Sequence, residues 1–196
     1  MARKRYIVGI DEVGRGSLAG YLLVAAVIVP SGINLRRRHL PKIKDSKRLT
    51  ALARGKWLSF VERHPGIKYT LFKASPGTID GINVTRAANI AATGAVRNLM
   101  TKNPATFARA NVYLDGGLYL NLKNVKFRTL TRGDEKINAI KLASIIAKVK
   151  RDKYMTELHK KYPKYAFDKH KGYGTKKHKR AIKKYGPTKI HRLTFI

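Results

Sequence analysis

Two adjacent carboxylates, Asp11 and Glu12, stand at the end of the apolar run Tyr6-Ile7-Val8-Gly9-Ile10 and are followed at once by Val13-Gly14-Arg15-Gly16. Carboxylates are scarce in this chain, with 11 Asp and Glu against 43 Lys and Arg. A carboxylate at the end of a core strand is costly to bury unless it is paired or bound to a metal. Two further acids fall in similar places. Asp115 ends the short apolar run 111–114, and Asp134 follows the run 125–130. In layered α/β proteins function gathers at strand ends. If these strands are neighbours, Asp11, Glu12, Asp115 and Asp134 converge on one sheet edge. Two divalent cations would offset their repulsion. Two Mg²⁺ about 4 Å apart can clamp the attacking and leaving oxygens of a phosphodiester.

Each acid also has a plainer reading. Asp134 equally serves as the N-cap of the helix that follows it, and Asp115 as a turn residue before Gly116-Gly117. Neighbours on a strand face opposite ways, so Glu12 joins Asp11 in one site only if the strand ends or bulges there. The plain readings weaken when all four acids are taken together in so basic a chain.

The elements that must position these acids read as strands interleaved with helices. Residues 5–11 and 21–29 form nearly continuous aliphatic runs, as buried neighbouring strands do. Thr50 is placed to cap a helix ending near Arg63, with Leu52, Trp57, Leu58 and Val61 as its apolar stripe. Residues 67–74 return as a strand, and residues 84–99 form an alanine-rich helix. Residues 111–114 and 125–130 are two more strands. Leu142, Ile145, Ile146, Val149, Met155 and Leu158 recur at helical spacing until Pro163 stops the pattern. Residues 160–192 carry 13 Lys and Arg and one Asp, and a short basic helix is expected at residues 175–184. The fold class expected is α/β, a mixed central sheet flanked by helices with a basic helical C-terminal region. The expected organisation is a single domain over residues 1–196, with residues 160–196 a substrate-binding segment.

The formal net charge is +32 over 196 residues, a field that attracts polyanions, with nucleic acid foremost. No apolar run reaches the roughly 18–20 residues of a membrane span. The chain lacks cysteine, which removes disulfides and thiolate metal sites and suits a reducing cytoplasm. The six histidines show no zinc-ligand spacing. No membrane partner, a cytoplasmic location and a monomeric state are expected.

The motifs together resemble the type 2 ribonucleases H, the ribonuclease HII family, over nearly the whole chain. The resemblance rests on Gly9-Ile10-Asp11-Glu12-Val13-Gly14-Arg15-Gly16, Asp45-Ser46-Lys47-Arg48-Leu49 and Leu114-Asp115-Gly116. It continues through Gly133-Asp134 with Ala143-Ser144-Ile145-Ile146-Ala147-Lys148-Val149 and Arg151-Asp152. His170-Lys171-Gly172-Tyr173-Gly174-Thr175 and His191-Arg192 complete it. The resemblance implies a ribonuclease H-like fold and cleavage of the RNA strand of RNA–DNA hybrids. It also implies incision 5′ to ribonucleotides embedded in duplex DNA, leaving a 5′-phosphate and a 3′-hydroxyl.

By the same resemblance Asp11, Glu12, Asp115 and Asp134 are the catalytic, metal-holding acids, with two divalent cations, Mg²⁺ or Mn²⁺. Gly14, Arg15 and Gly16 would read the ribose and its phosphates, and Tyr173 would contact the 2′-hydroxyl. Ser46, Lys47, Ser144, Lys148, His170 and Lys171 are candidate phosphate contacts, each with a plainer role as solvated surface, packing or structural residue. Glycines let backbone groups approach a sugar closely, and the 2′-hydroxyl needs a placed partner because it alone separates RNA from DNA. The chain departs from the family pattern at Tyr21, where Pro is usual, and at Gly117, which doubles a glycine. Two other classes stay in view. A non-catalytic basic binding protein accounts for the charge but not for the acids. A resolvase or transposase-type nuclease accounts for the acids but has no need of Gly14-Arg15-Gly16 with Tyr173.

Overall fold

The run of nine apolar and small residues Leu22–Pro30 has no polar face because it has no solvent face. In the computed structural model, which describes residues 5–38, 40–43 and 49–196, this strand (β2) lies inside a five-stranded sheet. Its side chains alternate between two cores: Val24, Ala26 and Ile28 enter one, Ala25, Val27 and Val29 the other. Strand β1 (Tyr6–Val13) pairs antiparallel with β2, in register from Tyr6 opposite Pro30 to Val13 opposite Leu23. Strand β3 (Lys68–Ala74) pairs antiparallel on the far side of β2. Strands β4 (Ala110–Asp115) and β5 (Phe127–Leu130) extend the sheet in parallel on the other side of β1, giving the order β3-β2-β1-β4-β5.

Helix α1 (Ala51–Arg63) follows the expected cap, with Thr50 Oγ1 accepting from the Ala53 amide at 3.1 Å. A short helix α2 (Pro76–Ile82), which the sequence pattern did not reveal, starts at Ser75, whose hydroxyl accepts from the Thr78 amide at 3.0 Å. Helix α3 (Val84–Lys102) covers one face of the sheet with Ala87, Ala88, Ala91, Ala92 and Ala95, small residues that let it lie close. A single turn, α4 (Pro104–Phe107), leads into β4.

The region after β5 differs from the expectation of one helix. Residues 133–136 form a four-residue helix, α5 (Gly133–Lys136), and Ile137 is extended at φ −115° and ψ 120°. The long helix α6 (Asn138–Lys161) begins only after it. Asp134 therefore does not cap α6. Helix α6 covers the second face with α1, through Leu142, Ile145 and Ile146 against Trp57 and Val61. It reaches β1 closely because Gly9 has no side chain: a Cβ there would lie 2.2 Å from the Ala139 carbonyl carbon. Substituting Gly9 would push α6 off the strand that carries Asp11.

Beyond α6 the chain forms a satellite core from Ala19, Met155, Leu158, Tyr165, Phe167 and Ala181. It is framed by one turn of helix, α7 (Phe167–His170), and the basic helix α8 (Lys176–Tyr185), capped by Thr175. Among the described residues no helix is long and apolar enough to cross a membrane.

Candidate active site

The β1–β4 ladder ends at Ile10 opposite Leu114, while β1 continues to Val13 against β2 alone. Past that point the two parallel strands leave a gap, and the acids stand around it. Asp11, Glu12, Asp115 and Asp134 all line one cavity of about 490 Å³, together with Gly14, Arg15, Gly16, Ser144, Lys148 and Tyr173. The strand does not bulge at Asp11 and Glu12. Asp11 shares the α6 side with Ile7 and Val13, and Glu12 has the parity of Val8 and Ile10 on the α3 side. Both carboxyls border the same space because the ladder has opened beside them.

The electrostatics of the cavity are unfavourable in a specific way. Asp11 is 5% exposed, and burial, the Glu12 charge and the Asp115 charge together raise its pKa well above the usual carboxylate range. Hydrogen bonds from Ser144 and the Glu12 amide, the latter at 2.7 Å, work against that rise. Burial also raises Glu12, opposed by Arg15, whose Nε donates to Glu12 Oε1 at 2.9 Å. The other oxygen, Glu12 Oε2, is buried without a hydrogen-bond partner. Asp115 Oδ1 accepts from the Gly133 amide at 2.7 Å, which ties the end of β4 to the start of α5 and so brings Asp134 to the cavity.

Asp11 and Glu12 are hard oxygen donors, Asp11 destabilised by burial and the charges of Glu12 and Asp115, Glu12 by burial and Asp115, and Glu12 has an unsatisfied buried atom. That donor set fits a divalent cation of the Mg²⁺ or Mn²⁺ type and does not fit zinc or copper. Among the described residues no three His, Asp or Glu side chains are drawn together as a formed ligand set. Arg15 holds one oxygen of Glu12, and the Gly133 amide holds one of Asp115.

The sequence-derived contacts divide into two groups. Ser144, Lys148 and Tyr173 reach the cavity. Lys148 Nζ is 2.9 Å from Asp152 Oδ1 and stands over the Tyr173 ring at 5.9 Å. His170 and Lys171 do not reach it. Both ring nitrogens of His170 are engaged by backbone groups, and Lys171 Nζ donates to the Asp168 carbonyl at 2.6 Å. Ser46 and Lys47, with Asp45 and Arg48 of the same motif, lie outside the described residues.

Two residues that had no assigned role hold the loop between β1 and β2. Arg151, fully buried in α6, donates to the carbonyls of Tyr21, Ala19 and Lys171 at 2.9–3.1 Å and lies 5.7 Å from the Tyr173 ring centre. Arg192, also fully buried, donates to the Arg15 carbonyl at 2.8 Å and twice to Gly20. Among the described residues neither forms an ion pair. Their charge is dispersed over carbonyl dipoles instead, with burial lowering both pKa values. Gly14 sits against Arg151 at φ +89°, where a Cβ would lie 2.3 Å from the guanidinium. The sequence signal for Arg151 was present: it interrupts the apolar stripe of α6 between Ala147 and Met155.

The sequence pattern of the family described as Ribonuclease HII matches residues 8–196 of this chain. The chain belongs to the ribonuclease HII family. A ribonuclease HII of Caldicellulosiruptor bescii is 40% identical over 192 residues, covering 98% of this chain and 87% of that protein. A ribonuclease HII of Pelagibacter ubique is 40% identical over 191 residues, covering 97% of this chain and 96% of that one. Among solved structures, ribonuclease H2 of Pyrococcus horikoshii superposes with a TM-score of 0.73 at 24% identity, over 96% of this chain and 93% of its own. A structure described as Bst-RNase HIII in complex with Mn²⁺ superposes with a TM-score of 0.70 at 19% identity, over 98% of this chain and 67% of its own. Ribonuclease HII membership makes the protein a ribonuclease H, a hydrolase acting on the RNA of RNA–DNA hybrids. The four-acid cavity lies where the ribonuclease H-like sheet opens.

Proposed function

We propose that this enzyme uses two divalent cations, Mg²⁺ or Mn²⁺, and that besides continuous hybrids it incises duplex DNA 5′ to single embedded ribonucleotides. The observation that carries the reading is one cavity holding Asp11, Glu12, Asp115 and Asp134 beside Gly14, Arg15, Gly16 and Tyr173. The Mn²⁺ complex of the structural relative, and the buried, mutually repelling carboxylates here, support the metal requirement. When bound, such cations supply charge stabilisation at the transferring phosphoryl group and a more acidic water.

The residues of the chain divide the remaining work. The four acids hold the cations. Gly14 and Gly16 leave the loop backbone bare, so a sugar can approach its amides. Arg15 projects from that loop, linked to Glu12 and to the Gly117 carbonyl at 3.0 Å, and offers its remaining donors to a phosphate. Lys148 adds positive charge on the α6 side. Tyr173 presents a hydroxyl and a ring to the 2′-position. In the reaction a water oxygen bonds to phosphorus and the bond to the preceding 3′-oxygen breaks. That leaves a 3′-hydroxyl upstream and a 5′-phosphate on the ribonucleotide.

The test is a labelled duplex with one ribonucleotide, with and without Mg²⁺. Cleavage on the 5′ side that requires the cation and disappears in Asp115→Asn is expected. Binding without cleavage in both Mg²⁺ and Mn²⁺ would overturn the reading.

A further inference from the structure

Three buried histidines, His170, His178 and His191, stand next to one another in the satellite core beside the cavity. The His170 and His178 rings stack at 4.4 Å and 16°, and His178 Nε2 is 3.1 Å from His191 Nε2. The backbone groups at the two ends of this chain fix where its protons lie. The Thr188 amide can only donate, and it meets His191 Nδ1 at 2.9 Å. A neutral His191 therefore carries its proton on Nε2 and donates it to His178 Nε2. His178 then carries its own proton on Nδ1, 3.0 Å from the Tyr173 carbonyl, which can only accept. Starting from Tyr173 instead gives the same assignment. His170 obeys the same logic independently. Its Nδ1 accepts from the Gly172 amide at 3.2 Å, and its Nε2 faces the Tyr165 carbonyl at 2.7 Å.

The two imidazole sets thus grip the Gly172–Tyr173 segment at its two ends, His170 at the Gly172 amide and His178 at the Tyr173 carbonyl. Tyr173 is the residue whose ring borders the acidic cavity. We propose that His178 and His191, with His170, are positioning residues that hold Tyr173 at the cavity through one fixed set of neutral tautomers. The proposal deepens the reading of Tyr173 as the ribose contact and rests on it. A proton added to His178 or His191 would set two N–H groups facing each other, and one added to His170 Nδ1 would face the Gly172 N–H. Charged neighbours enforce the same state: Arg151 and Lys148 at the Tyr173 ring, and Lys177 and Lys171 beside His170, with Asp168 opposing them. Burial pushes His178 down to about 4, so the grip is intact at neutral pH.

The test has two arms. In the first, ¹⁵N imidazole spectra of the wild-type protein near pH 7 should show His178 protonated at Nδ1, with His191 and His170 protonated at Nε2. Reversed tautomers, or imidazolium at His178, would overturn the proposal. In the second, steady-state incision of a one-ribonucleotide duplex compares His178→Asn with His178→Gln. The amide nitrogen of Asn overlies imidazole Nδ1, whereas that of Gln overlies Nε2. His178→Gln should lower kcat about tenfold, the scale of a small misplacement in a site, with KM within about twofold. His178→Asn should recover most of kcat. Equal kcat in both variants, or equal loss in both at matched melting temperature, would overturn positioning. Tyr173→Phe separates the two claims. Wild-type incision by that variant defeats the ribose-contact reading and leaves the tautomer result standing, while reversed tautomers defeat the imidazole grip and leave that reading intact.

Discussion

The acidic cavity and the satellite core beside it both bury ionisable groups, and they resolve the cost in opposite ways. In the cavity, Asp11 and Glu12 are held close to each other with their pKa values raised by burial, and Glu12 Oε2 has no partner. In the satellite core, Arg151 and Arg192 spend their donors on six carbonyl contacts, and His170 and His178 use both ring nitrogens. The cavity is left incomplete, while the set of contacts around these arginines and histidines is closed. The lesson is that the buried carboxylates of the cavity are crowded by like charge, whereas the buried arginines and imidazoles beside them are matched to neutral partners.

The largest effects should come from the incomplete region and should separate activity from stability. Asp11→Asn should cost roughly 10³-fold or more in hybrid cleavage, several kcal/mol at 1.36 kcal/mol per tenfold. In the absence of divalent cation the same variant should melt no lower than wild type, because it removes a buried charge beside two others. It should also lose much of any rise in melting temperature that Mg²⁺ or Mn²⁺ produces in the wild type. A variant that loses stability together with activity would blur the contrast between the regions.

The closed region should behave in reverse. Arg151→Met would leave the carbonyls of Ala19, Tyr21 and Lys171 without their donor in a fully buried place. A loss of about 3 kcal/mol is expected, read by urea or thermal unfolding as a fall of roughly 6–12 °C. An unfolding midpoint like that of the wild type would show that water replaces the guanidinium.

A smaller effect concerns pH. His178 titrates at about 4 in the folded chain and near its ordinary value of 6.5 when unfolded. Between those values the unfolded state binds more protons, so stability is complete above about 6.5 and falls as pH drops toward 4. His178→Gln should flatten that part of the melting profile, though it lowers the plateau. A profile that keeps its wild-type slope in the variant would move the titration to another group.

The smallest expected effect lies on α8, whose Lys183 and Lys184 belong to the basic tail. Changing both to alanine should raise KM a few-fold at moderate salt and lessen the steepness of its salt dependence, with little change in kcat. An unchanged salt slope would place the substrate elsewhere.

The strands and acids were legible because each announces itself locally. An unbroken aliphatic run such as Leu22–Pro30 can be satisfied only between two covered faces, and an acid ending such a run has few plain explanations. The break at Ile137 was not legible, because Asp134 in front of a helical pattern looks like a cap and nothing in the residues themselves separates α5 from α6. Helix α2 begins on Ser75-Pro76, a pair that also opens turns, and it is only seven residues long. His178 and His191 were hidden for a different reason. They lie in a tail where 13 basic residues read as solvated surface, and only the tertiary fold shows which face of α8 turns inward.

Arg192 gives the site a direction in time. Its guanidinium reaches the Arg15 carbonyl, 177 residues earlier, and its own amide donates to Leu18, while the amides of Leu193 and Thr194 close on Asp80. A chain emerging from the ribosome has all four acids by Asp134 and the Arg151 anchor of the β1–β2 loop soon after, yet the second anchor is missing until residue 192 is free. Contacts of such long separation form late. The β1–β2 loop is therefore expected to lack this clasp until residue 192 has been made, so a product truncated before it would carry the four acids beside a less firmly held loop.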